Sequence, residues 1–226
     1  MTLGRPRLHL RATTSTNDRA RGLAAAGAPH GTLVTTGEQT AGRGRQGRTW
    51  SAPAGQALLC SLVLRSLDPL LPLRAGLAVA DLAGPEARVK WPNDVLLAGR
   101  KLAGVLVEAR PQEGWAVLGI GLNASVDLAA LPAEVRDRAA TLGRPPAALE
   151  ATLDELLSAL ERRLAEPAAT TLAALRERDA LLGAQIRWEG GSGTGGGIAA
   201  DGALLVLRAD GSTTALAAGE VHLAVN

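Results

Sequence analysis

The chain has 226 residues, 46% of them hydrophobic, with four Trp and no Phe or Tyr, so its core has to be built from Leu, Val, Ala and Ile. Its formal charge of +2 comes from one segment. Without Arg43, Arg45 and Arg48 the acidic residues outnumber the basic ones, which argues against the domain-wide positive field of a DNA-binding protein. One cysteine excludes a disulfide framework and a Cys-rich zinc site. His9, His30 and His222 show no ligand spacing and read as structural, and the lack of a leader-like segment or a transmembrane-length apolar run gives the expectation of a soluble, cytoplasmic protein.

In chain order, Ser15-Thr16-Asn17-Asp18 precedes an alanine-rich run that stops at Gly27. This predicts a helix over 19–26, capped by Ser15 with Asp18 in the reciprocal position of a capping box. Residues 32–36 read as a strand. Gly42-Arg43-Gly44-Arg45-Gln46-Gly47-Arg48-Thr49-Trp50 follows, with three glycines and three arginines in nine residues. Glycine lets backbone amides turn toward a ligand, and the arginine fork suits carboxylate and phosphate oxygens. The segment reads as a mobile anion-gripping loop. Alone it would also fit a solvated Arg-Gly loop or an RNA-binding tail, although it lacks the interleaved aromatics useful for base stacking.

Residues 56–64 read as a buried strand holding Cys60 as an inert thiol, and 70–82 as a helix stopped by Gly84-Pro85. A short strand at 88–91 is broken by Pro92. Residues 93–97 and 101–108 form a hairpin around Ala98-Gly99-Arg100, and 115–122 is another strand. Strands and helices mix without strict alternation, which argues for α+β rather than a doubly wound sheet. Helices over 146–166 and 170–182 close this unit. Short strands at 185–188, 204–208, 213–216 and 221–225 then predict a small β-barrel module, with a division near residue 180 into segments 1–180 and 181–226. The glycine run at 190–197 lacks the Gly-Lys-Ser/Thr ending of a phosphate loop and reads as a flexible hairpin tip.

The chain supplies almost all its cations as Arg. Its two lysines, Lys90 and Lys101, stand close together, which suggests sites that need a compact ammonium. Ser15-Thr16-Asn17, Gln39 to Trp50, Lys90-Trp91-Pro92-Asn93-Asp94, Lys101 to Glu108 and Gly119-Ile120-Gly121-Leu122-Asn123 follow one another in that order. In this combination, over nearly its whole length, the chain resembles the biotin protein ligases, in the monofunctional form without an N-terminal DNA-binding domain.

The resemblance implies a mixed-sheet α+β catalytic domain of the biotin/lipoate ligase type with a small SH3-like C-terminal barrel. It implies an ATP-dependent, Mg²⁺-assisted reaction in which biotin becomes biotinyl-5′-AMP and then passes to a lysine of a biotin carboxyl carrier protein domain. Two anions must meet in the first step, so cations have to bridge them. The mixed anhydride must be kept from water, so a loop has to cover it.

By the same resemblance Ser15, Thr16, Asn17 and Gln39 bind biotin together with Arg43, Gly44, Arg45 and Lys101. Arg43, Lys90, Asn93, Gly119, Gly121 and Asn123 serve the nucleotide. Lys101, Arg45 and Asp94 carry the chemistry, with Asp94 either holding Mg²⁺ or orienting the acceptor amine. Arg48 and Trp50 support the loop, Trp91 reads as core, and Arg100 as solvated. A related lipoate or octanoate transferase is the near alternative. Gln46 departs from the family, whose members often carry a basic residue there. The Ser15 motif begins almost at once, so no room is expected for a helix-turn-helix, and neither DNA nor a membrane is an expected partner. Monomer and homodimer both remain open.

Overall fold

In a computed structural model, which describes residues 3–223, the chain orders as β1 (Arg7–Leu10), α1 (Thr16–Ala25), β2 (Leu33–Thr36), β3 (Leu58–Leu64), α2 (Leu71–Ala83), β4 (Ala87–Lys90), β5 (Asp94–Leu97), β6 (Arg100–Arg110) and β7 (Trp115–Leu122). Helices α3 (Ala133–Arg136), α4 (Leu149–Ala165) and α5 (Ala168–Arg178) follow, then β8 (Gln185–Trp188), β9 (Gly191–Ile198), β10 (Leu204–Leu207), β11 (Thr213–Leu216) and β12 (His222–Leu223). No described helix is long and apolar enough to cross a membrane.

The first seven strands form one sheet in the order β1-β2-β3-β7-β6-β5-β4, parallel between β1 and β2 and antiparallel elsewhere. The mixed α+β architecture expected from the sequence is therefore present. Strand alternation sends Cys60, Leu62, Leu118, Ile120 and Val105 to one face, where they pack with Leu77 of α2 and Leu153, Leu156 and Leu160 of α4. This is the main core, and among its fully buried described residues the only aromatic ring is the indole of Trp91, with Trp188 packed against it from the edge. Burial pushes the Cys60 thiol up to about 12, in keeping with an inert side chain.

The other face is covered only in part. Ala20 and Ala24 of α1 lie on Val34, Val63 and Val117. The small residues of α1 let the helix approach closely, and its first residues, Thr16 and Asn17, reach the next row of the sheet without covering the one beyond. That row consists of Ser61, Gly119 and Leu106, followed by Leu59, Gly121 and Gly104, paired across β3, β7 and β6. The half-covered face leaves a hollow there.

Three sequence expectations are corrected. The reading had no strand before α1, but Arg7–Leu10 forms an edge strand, held by Arg7 donating to Thr35 and pairing with Glu150. The second C-terminal helix ends at Arg178 rather than 182. The Arg178 guanidinium donates to the carbonyls of Ala80 and Gly84 at the end of α2, and Ala180 already donates to Val89 of β4.

The third correction is the glycine run. Gly191–Ile198 is an internal strand of a five-stranded antiparallel sheet ordered β11-β10-β9-β8-β12, and not a hairpin tip. Its glycines are required by close backbone approach. A Cβ on Gly195 would lie 1.9 Å from the carbonyl oxygen of Leu181, and one on Gly193 2.5 Å from that of Leu207. Trp91 donates its indole N–H to the carbonyl of Gly202 at 2.9 Å, tying this sheet to the Lys90–Asp94 segment.

Candidate active site

The hollow on the sheet opens into a cleft lined from α1, the arginine–glycine segment, β6 and β7. Ser15, Thr16 and Asn17 enter it from the start of α1. Ser15 has the extended backbone of an N-cap, but its side chain makes no capping bond. The capping box expected from Ser15 and Asp18 does not form: Ser15 lines the cleft, and Asp18 instead pairs with Arg21 and Arg43. Thr16 donates both its backbone N–H and its hydroxyl to Oε1 of Gln39, at 2.8 and 3.1 Å. Asn17 donates Nδ2 to Glu108 at 2.9 Å, and its Oδ1 accepts from the Ser61 hydroxyl at 2.6 Å. This polar floor is buried and already internally bonded, so it presents fixed atoms rather than mobile ones.

The glycines of β6 and β7 make that floor. A Cβ on Gly119 would stand 2.0 Å from Asn17 Oδ1, and one on Gly121 2.4 Å from the Trp50 ring. Gly104 would bring a Cβ to 3.1 Å from the same ring. The close approaches these glycines permit are thus by Asn17 and Trp50.

Lys101 reaches the cleft through a register change. Asp94 pairs with Gly104 and Val95 with Ala103, but Leu96 pairs with Lys101, so Leu102 is an extra residue in β6. A bulge shifts the alternation by one and re-aims the residues that follow. Lys101 thereby joins Asp94 and Gly104 on the cleft side, while Leu102 is fully buried in the core. Lys101 Nζ lies 2.8 Å from Asp94 Oδ1 and 5.6 Å from the centre of the Trp50 ring. The turn before β6 uses positive φ at both Ala98 and Gly99, as a two-residue hairpin loop requires.

The arginine–glycine segment closes on itself. Gly44 N–H donates to the Arg48 carbonyl at 2.7 Å, Trp50 N–H donates to that of Gly42 at 3.0 Å, and Gln46 and Gly47 turn the tip with positive φ. Arg43 pairs with Asp18 at 2.7 Å and with Glu108 at 3.2 Å, and Arg48 pairs with Glu220 from the C-terminal sheet. Arg45 turns inward instead, its guanidinium 3.4 Å from Asn93 Oδ1.

Among the described residues that line the cleft, Arg43, Arg45, Arg48, Lys90 and Lys101 are the cations and Asp94 and Glu220 the carboxylates, while Arg43 is also paired with Asp18 and Glu108 behind the lining. Burial lowers the pKa of both Arg45 and Lys90, with Asp94 as the opposing charge in each case. Excess positive charge held out of water is an anion site. What it can do chemically is bring two anions together and stabilise the charge that develops when they react.

All but one of the sequence-predicted site residues line the cleft: Ser15, Thr16, Asn17, Gln39, Arg43, Gly44, Arg45, Lys90, Asn93, Asp94, Lys101, Gly119 and Gly121. Asn123 does not. Its Nδ2 donates to the carbonyls of Ala140 and Lys101, bracing the segment behind Lys101 rather than facing the cavity. Sequence reasoning gave no role to Ser61, Glu108 or Glu220. Ser61 carried a signal as the single hydroxyl in an apolar strand. Glu220 carried none, since only the tertiary fold brings it to the loop.

Residues 10–125 match the model of the Biotin/lipoate A/B protein ligase family. A biotin--[acetyl-CoA-carboxylase] ligase of Mycobacterium tuberculosis is 39% identical over 238 residues, covering 93% of this chain and 86% of that protein. The bifunctional ligase/repressor BirA of Bacillus subtilis is 38% identical over 143 residues, 58% of this chain but 44% of BirA, so the match spans less than half of that relative. Among solved structures, the biotin protein ligase of Aquifex aeolicus in complex with biotin and ATP superposes with a TM-score of 0.82 at 26% identity, over 97% of this chain and all of that one. Motif order, mixed sheet and polar cleft agree with these likenesses, and the chain belongs to the biotin/lipoate A/B protein ligase family.

Proposed function

We propose that the chain is an ATP-dependent biotin protein ligase that makes biotinyl-5′-AMP and transfers the biotinyl group to a lysine of a biotin carboxyl carrier protein domain. The observation that carries this reading is the cationic set of Lys101, Lys90 and Arg45 around Asp94, set beside a rigid polar floor in one cleft. A ring system that hydrogen-bonds through an amide-like group suits the fixed atoms of Ser15, Thr16, Asn17 and Gln39. Its carboxylate then points toward Lys101, with Arg43, Gly44 and Arg45 above it.

In the first step a carboxylate oxygen attacks the α-phosphorus of ATP and pyrophosphate leaves. Lys101 and Arg45 offset the charge that gathers on the carboxylate and phosphoryl oxygens, which otherwise repel. Lys90, Asn93 and Arg43, with the floor at Gly119 and Gly121, serve the nucleotide side. In the second step the neutral amine of the carrier lysine attacks the acyl carbon, AMP leaves with the electrons of the broken C–O bond, and the nitrogen gives up one proton to solvent as the amide forms. Asp94, beside Lys101, orients the incoming amine and accepts a hydrogen bond from it.

Magnesium belongs to this reading as the ion that accompanies ATP. An ion held mainly by phosphate oxygens and water needs only one or two carboxylates, and Asp94 supplies one. Among the described residues no cluster of three or more His, Cys, Asp or Glu could hold a metal without the nucleotide. Magnesium there would neutralise phosphate charge.

The test is incubation with labelled biotin, ATP, Mg²⁺ and a biotin carrier domain. Label on the carrier, with pyrophosphate released, is the expected result. Transfer of lipoate instead of biotin would overturn the assignment.

A further inference from the structure

We infer that Glu108 is a positioning residue that couples the polar floor of the cleft to the arginine–glycine loop, a role that rests on the ligase reading above. The Glu108 side chain is 18% exposed, and its two oxygens are divided between two tasks. Oε2 accepts from Asn17 Nδ2 at 2.9 Å, and Oε1 lies 3.2 Å from both Arg21 and Arg43. On the far side Asp18 takes the same two guanidiniums, each at 2.7 Å. Two carboxylates and two arginines thus alternate around a closed ring, and the hydrogen bond from Arg43 to Asp18 raises the pKa of Arg43.

Two consequences follow. The first is orientation. A carboxylate is an acceptor only, so Glu108 fixes which end of the Asn17 amide faces it, and Oδ1 is turned toward Ser61. The second is coupling. Arg43 belongs to the loop and Asn17 to the floor, and one side chain holds both, so a shift of either is felt by the other. Asp18 holds only the loop side, although it is the residue next to Asn17 in α1. A carboxamide at 108 cannot serve both tasks, because its amino group would face either a guanidinium or the Asn17 amide nitrogen.

The experiment compares E108Q and D18N with the wild-type chain by three measurements: KM for biotin and for ATP, time courses of tryptic cleavage after Arg43, Arg45 and Arg48 with and without biotin, and thermal unfolding. For E108Q the expected result is an increase of about tenfold in both biotin KM and loop cleavage, with a smaller rise of about two- to threefold in ATP KM because Arg43 also serves the nucleotide. For D18N loop cleavage rises by a similar factor while biotin KM rises less than in E108Q, by about two- to threefold, because Asn17 keeps its partner. A purely structural role would move the unfolding temperature and leave the biotin-to-ATP KM ratio unchanged, and that result would overturn the inference. So would a raised biotin KM in E108Q with wild-type loop cleavage. The cleavage measurement needs no turnover, so it decides the coupling independently of whether biotin is activated. If E108Q does not fold, unaltered loop cleavage in D18N overturns the ring.

Discussion

The sharpest test of the cleft's construction is a pair of single-methyl insertions, Gly119→Ala and Gly121→Ala. The two glycines lie two residues apart on β7, on the same face, and each would drive a Cβ into a side chain, at 2.0 Å from Asn17 Oδ1 and 2.4 Å from the Trp50 ring. The consequences should differ because the two side chains differ in how far they can retreat. Asn17 is 4% exposed and held by Ser61, Glu108 and the Leu106 carbonyl. Displacing it forfeits a charge-assisted hydrogen bond, about 1.5–3 kcal/mol, and leaves a buried polar group unpaired, a further 1–3 kcal/mol or so. For a chain of this size each kcal/mol lowers the unfolding temperature by about 2–4 °C, so Gly119→Ala should melt roughly 5–24 °C lower. Trp50 sits on the loop, and its indole nitrogen has no hydrogen-bond partner, so moving the ring breaks no hydrogen bond and loses only apolar packing and its contact with Lys101. Gly121→Ala should cost about 1 kcal/mol or less while exposing residues 42–50 to protease. Circular dichroism melts and tryptic time courses on the two variants separate the outcomes. Equal melting temperatures, or a larger loss at residue 121, would refute the account of the floor as rigid and the loop as movable.

Two further outcomes follow from the site and from the junction between the sheets. Lys101→Arg should melt like wild type, because its pair with Asp94 is 39% exposed on the lysine side and such pairs contribute little to stability. Adenylate formation should nevertheless fall by about 10²–10³, since a planar fork places its charge elsewhere; near-normal pyrophosphate release would remove Lys101 from the chemistry. Burial holds the Asp179 carboxyl above its ordinary value of 3.8, against the hydrogen bond it receives from Leu181. The folded state therefore binds that proton more tightly, and the associated stability is present at low pH and lost as pH rises through the raised value. Asp179→Asn does not titrate, so its melting temperature should gain on that of wild type as pH climbs from 3.8 toward neutrality. Parallel pH profiles would refute the assignment.

Much of the cleft was legible because its residues are unusual for their surroundings. Lys90 and Lys101 stand out in a chain that otherwise uses Arg, and the glycines of 42–47 and of Gly119 and Gly121 break runs that propensity alone would leave unbroken. Other features were hidden for a physical reason. The bulge at Leu102 changes which face Lys101 occupies, yet an apolar residue in an apolar run gives no period to betray it. The 190–197 run was misread because glycine reports permissiveness without saying what uses it; here the use is a carbonyl at Leu181 that no local pattern encodes. Asn123 was misplaced for the opposite reason, since a polar residue at a strand end next to glycines looks like a ligand group until its carbonyl partners at Ala140 and Lys101 are seen.

The three loop arginines, alike in sequence, separate once their partners are known. Arg43 is compensated by Asp18 and Glu108, and Arg48 by Glu220 from the C-terminal sheet. Arg45 lies between them and, among the described residues, has no carboxylate within ion-pair distance; burial weakens its hold on the proton, and its nearest polar partner is the Asn93 amide. A guanidinium paired with a carboxylate lends less field to an incoming anion than an unpaired one in a partly dry cleft. The flanking pairs therefore act as moorings, one to α1 and β6 and one to the segment between β11 and β12, and together they hold Arg45 beside Asn93. On this argument the uncompensated positive charge of the cleft rests on Arg45 and Lys90, neither of which has a carboxylate within ion-pair distance among the described residues, and Glu220 contributes to the site by keeping Arg48 from competing with them.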